Sequence, residues 1–269
     1  PNGVKHEYTY NDLNRLTNLS VTRNGSELMR YGYTLGPAGN RMQISEIGKS
    51  RTYTYDNLYR LTSENIYDPD LSSACLTLQY QYDDVGNRIS RTNVCVNSAL
   101  PATTNYGVDD NDRLAGDVTD AGGSTTGADG KTFEYDFENR IISMNGGAVR
   151  FAYNADGDLV SRTEAGVTTE FITIPGNLNP TGFSQIAEEI QAGTVKRVNT
   201  FGLDLISRRD AANGRVLYYL MDGLGSVRGV IDGATGNVAT YAFDAFGTLI
   251  RTAGPAPVVD NPYLFTGER

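Results

Sequence analysis

The sequence predicts an all-β protein made of tandem antiparallel hairpins. Two observations predict it. A short pattern recurs along the chain: "YTYNDLNRLT" at 8–17, "YTYDNLYRLTS" at 53–63, "YQYDDVGNRIS" at 80–90 and "FEYDFENRIIS" at 133–143. The composition agrees, with thirty glycines, seventeen tyrosines and no tryptophan in 269 residues. Tyrosine and threonine favour strands, and glycine, asparagine and aspartate favour turns.

Each part of the pattern has a physical role. Aromatics at i and i+2 point to one face of a strand, as at Tyr8 and Tyr10, Tyr31 and Tyr33, Tyr53 and Tyr55, Tyr80 and Tyr82, and Phe133 and Tyr135. An Asp or Asn follows (Asn11, Asp56, Asp83, Asp109, Asp136, Asn154), whose side chain closes a turn on its own backbone. After a short loop an arginine opens the return strand: Arg15, Arg41, Arg60, Arg88, Arg113 and Arg140. An aliphatic residue comes next. Acid and arginine flank one loop, so they are placed for an ion pair, or for stacking of the guanidinium on a neighbouring tyrosine. Pattern starts at Tyr8, Tyr31, Tyr53, Tyr80, Tyr106, Phe133 and Phe151 lie 18–27 residues apart, with another at Tyr241 and a weaker one at Tyr219. That is the range of repeat proteins.

A lone hairpin is barely stable in water, so successive hairpins must lie side by side in one curved, spiralling sheet. The tyrosines and arginines then recur as architecture and not as separate sites. The residues divide into hairpin repeats over 1–165 and a continuation of the same sheet over 166–269. Within the latter, "GFSQIAEEIQAG" (182–193) has helical spacing, but its turn-rich flanks favour a strand. The stretch "DVTDAGGSTTGADGK" (117–131) has no apolar periodicity and is expected to be an exposed loop.

These units resemble the YD repeats of the RHS family, which includes rearrangement-hotspot proteins, teneurins and the shell subunits of insecticidal toxin complexes. The stretch from "TFGLDLISRRD" at 200–210 through "YYLMDGLGSVRGVID" at 218–232, and then "NPYLFTGER" at 261–269, is similar to the segment that precedes the RHS core signature. The resemblance implies a strand ribbon spiralling into a hollow shell that encloses a C-terminal toxin or belongs to a cell-surface adhesion protein. The self-cleaving aspartates of some members would lie beyond Arg269. It further implies a non-catalytic scaffold segment of a secreted or surface protein, with no cofactor, whose partners are the rest of the shell and its cargo. A carbohydrate-binding surface is the alternative, since exposed tyrosines stack on sugar rings. Free strand edges would allow self-association.

Other residues narrow the function. The formal charge of -9 leaves no basic stripe for nucleic acid. No apolar run reaches the roughly 18 residues of a membrane span. His6 is the only histidine, so a His-based nucleophile or metal site has no partners of its kind. Cys75 and Cys95 each lie ten residues from Val85, the midpoint of the "DDVGN" turn. In an unbulged hairpin they would face each other and form a disulfide, worth about 3 kcal/mol and suited to an oxidising compartment. Asp109, Asp110 and Asp112, and likewise Asp156 and Asp158, read as solvated turn acids in preference to a glycosidase pair or calcium loop. Asn18 and Asn24 fit the glycosylation acceptor pattern, which is frequent by chance.

Overall fold

A computed structural model describes residues 3–71, 75–94, 100–179, 182–255 and 261–267, together with the backbone but not the side chain of Cys75. The protein is all-β. Its first strands are β1 (Val4–Tyr10), β2 (Leu16–Arg23), β3 (Ser26–Leu35), β4 (Arg41–Glu46), β5 (Lys49–Tyr55), β6 (Leu61–Tyr67), β7 (Cys75–Tyr82), β8 (Arg88–Asn93) and β9 (Thr103–Asn105). Then follow β10 (Val118–Thr119), β11 (Thr125–Ala128), β12 (Lys131–Tyr135), β13 (Ile141–Met144), β14 (Val149–Tyr153), β15 (Leu159–Glu164), β16 (Val167–Ile174), β17 (Gln185–Gln191), β18 (Thr194–Phe201) and β19 (Leu205–Asp210). The last are β20 (Val216–Met221), β21 (Val227–Asp232), β22 (Val238–Phe243) and β23 (Leu249–Ala253). Hydrogen-bonded order is chain order: β1 to β9 form one sheet, β10 to β23 another, and neither closes on itself.

Packing divides the chain into two compact units. One comprises Pro1–Val108, Leu220–Val230 and Asn237–Arg269, the other Asp109–Tyr219 and Ile231–Gly236. This division falls elsewhere than at 165/166, because the repeat pattern records which hairpins are alike and not which side chains pack together. In the first unit the buried face of the nine-stranded sheet reads across the strands. Leu19 lies opposite Tyr31, Ile44 opposite Arg51, Arg51 opposite Ile66, Ile66 opposite Leu76, and Glu64 opposite Leu78. Ile66, Leu71, Leu76, Leu78, Tyr80, Leu100 and Ile250 form one apolar cluster. Side-chain alternation selects this face, so the outer residues between them stay polar.

In the second unit, 182–193 does form a strand, β17, hydrogen-bonded to β16 and β18. The expected loop at 117–131 is a correction: it contains β10, β11 and the start of β12. These strands have no apolar face to announce them. Their turns announce them instead, with Asp129 and Gly130 at φ 50 and 73 in a two-residue hairpin loop. The same turn chemistry places Asn24 and Gly25 (φ 49 and 85) at the tip of the β2–β3 hairpin.

Substitution Leu78→Ala removes a fully buried side chain and is expected to destabilise the first unit by about 2–5 kcal/mol. Leu58→Ala, at a site 70 % exposed, should change stability by less than about 0.5 kcal/mol. Urea unfolding followed by circular dichroism measures both.

Candidate functional site: capped turns and a buried charge lattice

The repeated Asp or Asn makes the turn. At Asn11, Asp56, Asp83, Asp109, Asp120, Asp136, Asn154, Asp222 and Asp244, the Oδ1 atom accepts the backbone N–H groups of residues i+2 and i+4, at 2.7–3.1 Å. The backbone N–H of residue i then donates to the carbonyl of i+4, as Asp56 does to Arg60 at 3.0 Å. Residue i+3 takes positive φ: Asn14, Tyr59, Asp112 and Asn139 at 57–61°, Gly86, Gly123, Gly157, Gly225 and Gly247 elsewhere. Tyr59 is the costly case, since a bulky residue seldom adopts this region. A β-bulge comes just before the turn, between Thr9 and Tyr10, Thr54 and Tyr55, Gln81 and Tyr82, Glu134 and Tyr135, and Ala152 and Tyr153.

Arginine then acts in one of two ways, set by its distance from the capping residue. At i+4 it serves the turn. Arg60, Arg113 and Arg140 each pair with the acid of their own turn, with Nε to Oδ2 at 2.7, 2.9 and 2.7 Å. These hydrogen bonds hold the Asp56 and Asp109 carboxyls below the usual aspartate range. The same arginines reach the following hairpin. Arg60 donates to the Asp83 carbonyl at 3.0 Å and lies 5.1 Å from the Tyr82 ring centre, and Arg140 lies 5.0 Å from that of Tyr153. The Arg15 guanidinium, whose cap is neutral, donates instead to the Gly36 and Pro37 carbonyls, at 3.4 and 3.3 Å. In return, the second tyrosine of a hairpin donates its hydroxyl to a carbonyl of the preceding one: Tyr55 to Arg41, Tyr82 to Leu61, Tyr135 to Thr125 and Tyr153 to Ile141, at 2.7–2.9 Å. Both halves of the predicted alternative, ion pair and ring stacking, are therefore present.

At i+5 the arginine faces inward instead, as Arg88 does after Asp83; Arg41 holds the same place after Gly36, whose turn has the Gly36 N–H to Asn40 carbonyl bond and no side-chain cap. Arg41 covers the Tyr33 ring at 4.8 Å and donates to the Gly223 carbonyl at 3.0 Å. Arg88 lies 4.0 Å from Phe246 and 4.6 Å from Tyr106. Tyr31, Tyr33 and Tyr80 are buried, Tyr53, Tyr55, Tyr82 and Tyr135 half-buried, and Tyr8 and Tyr10 exposed on the edge strand β1. Burial pushes the Tyr33 hydroxyl up to about 12.

The inner face of the first unit also holds a charge lattice. Arg51 bonds Glu46 at 3.2 Å, Glu64 at 3.1 Å and the Phe243 carbonyl at 2.6 Å. Glu64, with no exposed surface, accepts the Ala245 N–H at 2.8 Å. Arg228 bonds Glu46 at 2.9 Å, Asp222 at 3.3 Å and the Tyr241 carbonyl at 3.0 Å. Arg91 bonds Asp244 at 3.1 Å. These contacts join the nine-stranded sheet to β21, β22 and the turns capped by Asp222 and Asp244, all inside one unit. A cleft of about 270 Å3 lies beside them, lined by Ile44, Tyr53, Tyr55, Leu224, Phe243 and Phe246 among others. Burial and the two arginines act oppositely on Glu46, and the arginines win, lowering its pKa. At Glu64 burial wins over Arg51 and the Ala245 N–H, raising it.

The remaining sequence candidates sit apart from this lattice. His6 lies on β1 opposite Val21, its ring 6.5 Å from Tyr8. Asp158 belongs to the turn capped by Asn154, whose Nδ2 donates to it at 3.3 Å, and Asp156 is exposed. Cys95 and the side chain of Cys75 lie outside the described residues, so the disulfide does too; the β7–β8 pair carries a bulge between Gln81 and Tyr82. Among the described residues no group of three or more His, Cys, Asp or Glu is placed to hold a metal ion, and no helix is long and apolar enough to cross a membrane.

Sequence reading missed Glu46, Arg51, Glu64, Arg91, Arg228 and the caps Asp120, Asp222 and Asp244. The caps carried a signal, since "DAGGS", "DGLGS" and "DAFGT" repeat the Asp-x-x-Gly spacing of "DDVGN". The lattice carried a weaker one: Arg51 shares a strand face with Tyr53, and Glu64 with Ile66.

No protein-family model matches the chain. Over 199 residues, 71 % of its length, it is 25 % identical to the tRNA3(Ser)-specific nuclease WapA of Bacillus spizizenii and 24 % identical to the tRNA nuclease WapA of Bacillus subtilis. The matched region is 8 % of each relative. Among solved structures, 99 % of the chain superimposes on the Photorhabdus luminescens Tc holotoxin pore and on the TcdB2–TccC3 crystal structure, each with a TM-score of 0.76 at 17 % identity. The chain spans 16 % of those chains. The fold is thus that of an open, antiparallel region within these large toxin proteins.

Two outcomes test the site. Tyr82→Phe removes one interhairpin hydrogen bond and should cost about 1 kcal/mol in urea unfolding. The lattice glutamates should have opposite pH signatures. Glu46 contributes stability above the ordinary value of 4.5 that is lost as pH falls through its lowered folded value. Glu64's contribution is full below 4.5 and is lost as pH rises through its raised folded value. Relative to the parent, Glu46→Gln should therefore lose most Tm near neutrality, whereas the Tm difference for Glu64→Gln should become more favourable as pH rises. Thermal melts from about pH 3 to 8 compare them, and parallel slopes would contradict the assignment.

Proposed function

We propose that this chain is a length of wall in an RHS-type shell of a secreted or cell-surface protein, that the shell encloses or presents a C-terminal cargo such as a toxin domain, and that the wall segment is not itself catalytic. The observation that carries the reading is the superposition of 99 % of the chain, at a TM-score of 0.76, on one region of the TcdB2–TccC3 structure. Placement of the repeated residues supports it. The motif tyrosines and arginines bond one hairpin to the next, and Tyr31, Tyr33 and Tyr80 are buried. That burial favours scaffold over a tyrosine-lined carbohydrate surface. The lattice carboxylates Glu46, Glu64, Asp222 and Asp244 each face an arginine or a backbone donor, which suits cohesion better than acid–base chemistry. The nuclease activity named for the WapA relatives belongs, in this reading, to a cargo region and not to the segment that this chain matches.

The test is cryo-electron microscopy of the polypeptide produced from the complete open reading frame, with limited proteolysis of its C-terminal region. The expected result is a hollow particle whose wall contains these hairpins, with the C-terminal region protease-resistant until the wall is unfolded. An extended ribbon with no enclosed volume, and a C-terminal region cut at the same rate folded or unfolded, would overturn the proposal.

A further inference from the structure

The cleft of about 270 Å3 is lined from both sides, by the nine-stranded sheet and by β21, β22 and their turns, all within the first unit. Protein interiors leave few voids larger than a water molecule, so an opening of this size is not ordinary looseness of packing. Its walls are largely ring and aliphatic surface, from Tyr53, Tyr55, Leu224, Phe243, Phe246 and Phe265. Phe243 and Phe265 meet edge to face, with ring centres 5.7 Å apart. Leu224 and Phe246 keep 48 % and 44 % of their surface exposed, so apolar area is left for a guest to cover.

Most charged groups of the lining are already engaged. Arg51 holds Glu46, Glu64 and the Phe243 carbonyl, and Arg228 holds Glu46, Asp222 and the Tyr241 carbonyl. Asp222 and Asp244 each use one oxygen for two turn N–H groups and the other for Arg228 or Arg91. Arg41 differs from these arginines. Its Nη2 donates to the Gly223 carbonyl at 3.0 Å, and no carboxylate among the described residues pairs with it. Ser226 lines the same cleft and is buried; its oxygen receives the Thr266 N–H at 3.0 Å, and its own O–H has no acceptor among the described residues.

We infer that this cleft binds a small carboxylate with an aromatic body, the acid on Arg41 and the ring against the aromatic walls. A guanidinium without a carboxylate offers a fork of N–H groups that matches the two oxygens of an acid. Apolar walls with a few polar groups that fix orientation are the usual make-up of a small-molecule site. The volume falls just below the range of about 300–1,000 Å3 common for such sites, which suits a guest of one ring or two. A neutral sugar fits less well, because its hydroxyls need acceptors and the carboxylates here are already bonded.

Calorimetric titration of the whole chain at constant ionic strength tests this with three probes: hydrocinnamate, its neutral amide, and acetate. Hydrocinnamate should bind saturably and about tenfold or more tightly than the amide, and acetate, which lacks the ring, should bind more weakly than either. Arg41→Gln should bring hydrocinnamate and the amide to equal affinity while leaving the amide as it was, a change that general loosening of the fold would not produce. Leu224→Trp, which fills the cleft without touching the buried charges, should weaken both ring-bearing probes about tenfold or more, and it keeps the test intact if Arg41→Gln misfolds. Hydrocinnamate that fails to saturate, or that binds no better than its amide, would overturn the inference. So would an Arg41→Gln chain that still prefers the acid, or a folded Leu224→Trp chain that binds as the parent does. The wall reading neither requires this site nor falls with it.

Discussion

One side-chain oxygen accepting two backbone N–H groups is the interaction on which the rest of this structure depends. It reverses the chain within five residues and orders the loop without any help from a core. The turn capped by Asp109 shows this independence, since Tyr106 has already left strand β9 and the turn still forms, closed by Arg113. Capping fixes where the return strand begins, and the bulge just before it fixes how the second aromatic is aimed. Once aim and register are set, the tyrosine hydroxyl finds the preceding hairpin and the i+4 arginine finds the following one. Cohesion is thus passed from neighbour to neighbour, as in other repeat architectures.

The one-residue difference between i+4 and i+5 divides the arginines between two tasks, because side chains alternate across a strand. Those at i+4 join hairpins side by side. Those at i+5 face inward, toward the layer that contains Gly223 and Phe246. The inner lattice of Glu46, Arg51, Glu64 and Arg228 belongs to that second task. Buried ion pairs are weak contributors to net stability, since desolvation offsets most of the attraction, but breaking one leaves an uncompensated charge that costs about 3–5 kcal/mol. Such a lattice is therefore better suited to fixing a single alignment of the two layers than to making the unit very stable. The opposed behaviour of Glu46 and Glu64 has the same origin: one carboxylate has two arginines, and the other shares one.

The hairpins were legible because each is a local event, with aromatics, cap, loop and arginine within about a dozen residues. The strand at Gln185–Gln191 was legible from its flanking turns although its apolar spacing suggested a helix. By contrast, β10 and β11 read as a loop because Thr, Gly and Ser carry no apolar alternation, and only "ADGK" marks the hairpin. The lattice was the least legible part. Arg51 meets Phe243, and Glu64 meets Ala245, across 192 and 181 residues of chain, and no periodicity encodes which distant turn a buried charge will face.

The account is tested most directly by amide hydrogen exchange, resolved by residue, at Leu58, Arg60, Val85 and Asn87. In the structure their N–H groups donate to the Asp56 and Asp83 side chains, and the four residues lie in turns between strands. Protection comparable to that of the flanking strand amides, lost at Leu58 and Arg60 when Asp56 is replaced by alanine, is the predicted result. Exchange at the rate of an unstructured loop in the unaltered protein would contradict the claim that these caps organise the fold.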